Sequence, residues 1–124
     1  MYKAEELYEG FKYPDEYLYL IDLGIKEFEV WRILSPEESE KTLIGMSSRY
    51  SGCGYVPFAK CRSTDDVACY RVGHGSRVLR VHDWASRGWE KREEYEDIWA
   101  WIHYVVDELK DEVKGEIAYR TKME

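Results

Sequence analysis

Cysteine is scarce in this chain, and what is present does not pair by spacing. Cys53, Cys61 and Cys69 are three in number, and no two stand in a C-x-x-C arrangement. That excludes a disulfide scaffold and points to reduced thiols in a cytoplasmic setting. No stretch approaches the roughly 20 apolar residues of a membrane span, and no basic-then-apolar signal segment opens the chain. Gly52-Cys53-Gly54 is a lone G-x-G without the third glycine of the dinucleotide fingerprint, and it precedes a strand-like run, so it reads as a flexible turn. There is no P-loop and no G-x-S-x-G elbow. The three histidines and three cysteines are dispersed in no zinc-like spacing, so neither metal nor cofactor is expected.

What the chain has in quantity is aromatic side chains and acid. It has 124 residues, 44% hydrophobic and 15% aromatic, with eleven Tyr and five Trp. That length suits one domain with a real core. The net charge of −7 is unevenly spread. Residues 1–50 and 93–124 are acidic, whereas residues 51–92 hold eight basic against four acidic groups. Acidic flanks around a basic middle argue against a general nucleic-acid binder, which needs a basic face for phosphates. Charge alone is accounted for by solubility, and as a recognition signal it suits a basic protein partner better than a nucleic acid.

Residues 1–12 read as an N-terminal arm or short helix, 13–113 as the core and 114–124 as a C-terminal extension. Pro14 opens a helix with Tyr17, Leu20 and Ile21 on one face, stopped at Gly24. EFEVWRIL, residues 27–34, reads as a strand. Ser35, Pro36 and Glu38 form a capping box that starts the next helix. YVPFAKC (55–61), VACYRV (67–72) and RVLRVHD (77–83) predict a three-strand antiparallel meander. Pro57 marks the first of them as an edge or as bulged. Ile98, Trp101, Ile102, Val105, Leu109 and Val113 recur at helical spacing and predict a long final helix, with Glu93, Glu94, Glu96 and Asp97 at its start. The expected class is α+β: a mainly antiparallel sheet flanked by helices, packed mostly on one face.

VHDWASRGWE, residues 81–90, is the stretch that decides between chemistry and binding. His82 and Asp83 are adjacent, and a strand sends neighbouring side chains to opposite faces, so they do not form an oriented dyad. His74 is expected to be exposed in a turn, and His103 to be partly buried on the last helix. Cys61 and Cys69 read as small buried hydrophobes, although a hairpin could bring them together. Asp65 and Asp66 sit at a hairpin turn, where aspartate is a normal turn former and can also offer an acidic recognition point. Trp101 belongs in the core. Trp84 and Trp89 are expected to fasten the turn to the sheet and the final helix, with the outward facing of one of them left open, and Trp99, nearly opposite Trp101, to be exposed or covered by the N-terminal arm; an exposed Trp is an effective interface anchor.

VPFAKCRSTDDVACYRV, then VHDWASRGWEKREEYEDIWAWIHYVVDEL, with the earlier YPDEYLYLIDLGIKEFEVWRIL, together resemble the SUKH superfamily, the Smi/Knr-like domains, over roughly residues 13–109. The chain departs from many members in having Tyr13-Pro14 and Leu23-Gly24-Ile25 where they carry Leu-Pro and Asn-Gly-Gly. The resemblance implies an α+β fold and a non-catalytic role. Many bacterial members look like immunity proteins that bind and neutralise a cognate toxin, often a nuclease, in the cytoplasm.

On this reading Asp65, Asp66, Trp84, Trp89 and Glu90 contact a toxin protein, such as a basic nuclease domain, with no nucleic acid or membrane bound directly. Two other readings stand beside it. One is a regulatory adaptor that takes a peptide at a free strand edge, with the Pro57 strand as the edge. The other is a small hydrolase or nuclease using His82, Asp83 and Asp66, which requires those side chains to converge.

Overall fold

The structure is a computed structural model and describes residues 4–123. The expected N-terminal arm thus begins in residues outside that range. Its described part holds a single helical turn, α1 (Ala4–Leu7), and then Phe11 and Tyr13 enter the core. Helix α2 (Asp15–Asp22) follows, with Pro14 as its N-cap rather than its first helical residue. Gly24 ends the segment at φ +80, a left-handed conformation that glycine adopts without a Cβ penalty.

The segment read as one strand over 27–34 is a tight hairpin, β1 (Glu27–Phe28) and β2 (Trp31–Ile33), with Phe28 opposite Trp31. The turn is Glu29-Val30, and Glu29 carries φ 65. Positive φ at the first central position is the type II′ pattern, which glycine normally marks. Glutamate in its place removes the sequence signal, so a period-2 run conceals the reversal.

Helix α3 (Pro36–Arg49) starts as expected: the Glu38 N–H donates to Ser35 Oγ and the Ser35 N–H donates to Glu38 Oε1, both at 3.2 Å. The meander is present as β3 (Tyr55–Cys61), β4 (Asp66–Arg71) and β5 (Val78–His82). Pro57 lies at a bulge, where the β3–β4 register shifts between Pro57 and Ala59. It does not lie on an edge, because β3 is paired on both sides, to β2 and to β4.

A further strand, β6 (Lys91–Tyr95), pairs with β5. Its residues KREEY carry no apolar alternation, and Glu93 and Glu94, expected at the start of the last helix, lie in this strand instead. That helix, α4, begins later, at Ile98, and runs to Met123, taking in the described part of the predicted extension. Asp97 caps it, accepting from the Ala100 N–H at 2.9 Å.

The result is an α+β domain around a six-stranded antiparallel sheet, ordered β1-β2-β3-β4-β5-β6 as in the sequence. Helices cover both faces, not mainly one. On the first face α2 and α4 bring Tyr17, Leu20, Ile98, Trp101 and Val105 onto Trp31, Phe58, Tyr70 and Val78. On the second, Met46 of α3 and Tyr50 just after it pack on Tyr55, Val67, Cys69, Leu79 and Val81. The reason is in β4 and β5. Both alternate positions are apolar in VACY, and Val78 lies beside Leu79, so each strand must bury two faces. Ring contacts join the first core: Trp101 meets Trp31 edge-on at 5.5 Å and Phe58 at 5.2 Å between centroids.

Candidate functional site

The loop between β5 and β6, residues 83–90, is built around two buried carboxylates. Asp83 continues the alternation of β5 and turns toward α3. There Arg49 Nε donates to Asp83 Oδ1 at 2.8 Å and Arg49 Nη2 donates to Oδ2 at 2.6 Å, a two-pronged charged pair. Asp83 Oδ1 also accepts the Trp84 N–H at 2.9 Å. Glu90, at the other end, is 5% exposed. Its Oε2 accepts the Tyr55 hydroxyl and its Oε1 accepts the Gly88 N–H, each at 2.6 Å. Burial pushes the Glu90 carboxyl up, but these hydrogen bonds, with Arg71 nearby, bring it net below the usual carboxylate range. Burial, with Glu90 beside it, pushes the Tyr55 hydroxyl well up, so it stays a donor. The Tyr50 hydroxyl donates to the Ala85 carbonyl at 2.8 Å, and Arg87 reaches back to the Ser51 carbonyl at 2.6 Å.

This bracing holds two tryptophans out of the fold. Contrary to the expectation that they fasten the turn to the sheet and the final helix, Trp84 is 70% exposed and Trp89 is 76% exposed. Trp84 has φ 72, a left-handed conformation that costs a bulky residue on the order of 1–2 kcal/mol. The Arg49 guanidinium carbon lies 3.7 Å from the Trp84 ring centroid, so the cation that neutralises Asp83 also steadies the ring. The β3–β4 turn abuts the loop, since the Asp83 N–H donates to the Asp65 carbonyl at 3.0 Å.

Of the five residues expected at a contact surface, Asp65, Trp84 and Trp89 are exposed around this loop. Asp66 is mostly covered: it accepts from Arg80 Nη1 at 3.2 Å and faces His82 Nδ1 at 2.7 Å, directly across the β4–β5 ladder. Glu90 is buried and braces the loop from inside. Sequence reasoning missed Arg49, Tyr50 and Tyr55, which stand roughly 35 positions from their partners. The one available signal was the presence of Asp83 after an apolar strand, since a carboxylate carried into a core demands a cation.

The hydrolase arrangement does not assemble. His82 and Asp66 pair on the α4 face of the sheet, while Asp83 points to the α3 face and is taken by Arg49. His74 is exposed as expected, but His103 is exposed on α4 rather than partly buried. Cys61 and Cys69 pack on opposite faces of the sheet, and only Cys69 is fully buried. Burial pushes the Cys69 thiol well up, which makes it a poor nucleophile. Among the described residues, no group of three His, Cys, Asp or Glu is placed to hold a metal ion, and no helix is long and apolar enough to cross a membrane.

No family model, curated protein or solved structure matches the chain.

Proposed function

We propose that this chain is a non-catalytic binding protein of the immunity type, which holds and neutralises a cognate toxin in the cytoplasm. One observation carries the reading furthest: two tryptophans held in solvent by a loop whose own polar groups are satisfied inside the fold. Exposed aromatic rings on a pre-ordered loop cost little entropy on binding and suit an interface centre. The net charge of −7 favours a basic partner, such as a nuclease domain, through long-range steering. The likeness of VPFAK, DDVACY and HDWASRGWE to Smi/Knr-like immunity proteins supports the same reading. The adaptor alternative relied on a free edge at the Pro57 strand, which is an interior strand.

The test is capture from the native host with the wild-type chain and with a Trp84→Ala/Trp89→Ala variant. The wild type should retain a polypeptide that is toxic when expressed alone, and co-expression of the wild-type chain should restore growth. The variant should lose both effects by at least tenfold while keeping its fold. Retention of no toxic polypeptide would remove the reading, and undiminished rescue by the variant would remove this surface from it.

A further inference from the structure

Seven of the nine glycines adopt positive φ, where a side chain would be strained. The two that do not are Gly45 and Gly115, each inside a helix. A glycine in a helix interior is unfavourable, because it gives the unfolded chain more freedom and packs nothing. A Cβ added at Gly115 would meet nothing within 4 Å. One added at Gly45 would lie 3.0 Å from Nη2, 3.1 Å from Nη1 and 3.4 Å from Cζ of Arg49. The space at Gly45 is therefore filled by the tip of an arginine.

Arg49 stands one turn after Gly45 on α3. Side chains on a helix lean back toward its N-terminus, over the residue four positions earlier. The other sides of this guanidinium are taken. Its Nε and Nη2 donate to the two oxygens of Asp83 at 2.8 and 2.6 Å, and its Cζ lies 3.7 Å from the centre of the Trp84 ring. An unbound arginine would swing clear of an added methyl group. This one cannot do so without lengthening its bonds to Asp83 or shifting on the ring. Trp84 is tied to the same carboxylate through its backbone, since its N–H donates to Asp83 Oδ1 at 2.9 Å. Indole, guanidinium and carboxylate thus form one unit that abuts Gly45, and Arg49 covers one face of the indole.

We propose that Gly45 is a positioning residue of the Trp84 surface: its missing side chain admits the tip of Arg49, and Arg49 sets the pose in which the exposed indole meets a partner. This rests on the binding role given above to the Trp84/Trp89 loop. Gly45 touches no partner itself and acts through Arg49. A ring held in one pose before contact loses less freedom on binding than a ring that turns.

Proton NMR of the full chain reads the pose without a partner. A guanidinium centred over an indole lies in the shielding region of the ring, so the Arg49 side-chain protons should resonate upfield of ordinary arginine positions. Trp84→Ala should abolish that shift. Gly45→Ala should reduce it and Gly45→Leu should remove it. The circular dichroism of both should stay native, because alanine and leucine favour a helix more than glycine does. Gly45→Ala keeps the test decisive if leucine disturbs the fold. In capture from the native host, Gly45→Leu should retain the partner about tenfold less well than the wild type. An Arg49 shift that neither Gly45 variant alters overturns the proposal and leaves the binding role of the loop standing. A Gly45→Leu chain that has lost the shift and still captures as the wild type does also overturns it. A wild-type chain that captures no partner overturns the binding role, and with it this use of the pose; that failure is told apart by an Arg49 shift that still responds to Gly45.

Discussion

Trp84 combines two costs, an exposed ring and a left-handed backbone. Trp84→Gly should leave the thermal midpoint unchanged or raise it slightly, since relief of about 1–2 kcal/mol of strain offsets the lost Arg49 stacking and the added freedom of the unfolded chain. On the proposed function, the same variant should also lose capture of the partner. Calorimetry beside a binding assay reads both outcomes. Glu90 offers a second test at this scale. Its folded pKa lies below its unfolded value, so it adds stability that is complete above the ordinary carboxylate range and is lost as pH falls through the folded value. Glu90→Gln should flatten the acid limb of a stability–pH curve below about pH 4.5, the reference value, and change its slope little above pH 6. An unaltered acid limb would show that the carboxylate is not held as described.

Asp83 and Arg49 tie two elements together, the β5–β6 loop and the end of α3. Removing one partner from a fully buried pair costs about 3–5 kcal/mol. Arg49 keeps some contact with water, so Asp83→Ala should cost nearer 2–3 kcal/mol in urea unfolding. It should also loosen the loop enough to raise amide exchange at Ala85 and Gly88. Which elements were legible follows from their chemistry. Helix α3 announced itself through Ser35, Pro36 and Glu38, because capping is local. The meander was legible because Gly73 and Gly75, with Asp65 and Asp66, punctuate β-rich runs. Strand β6 was not, because an exposed edge strand has no apolar face and draws its pairing from β5. The β1–β2 reversal escaped because Glu29 occupies a position where glycine usually signals the turn. For the site, the exposure of Trp84 and Trp89 was not legible, because a large apolar ring just after a buried strand ordinarily packs inward. Nor was the burial of Glu90, since it depends on Tyr55, far back in the chain.

Across the whole molecule, stability and reach are divided along α4. The turns from Ile98 to Val105 close the core, and the remainder lies outside it. Ending the chain at Lys110 should therefore shift the unfolding free energy read in urea by less than about 0.5 kcal/mol. A large loss of stability on truncation would mean that the projecting half packs on the domain after all. The order of the sheet has a consequence of another kind. Every strand pairs with its neighbour in sequence, so the chain can zip hairpin by hairpin as it is synthesised. Trp101, the ring that joins Trp31 and Phe58, is made only after all six strands. Until then α2 alone covers that face of the sheet, and Trp31 and Phe58 lack the ring that closes over them, which is the surface a chaperone would meet.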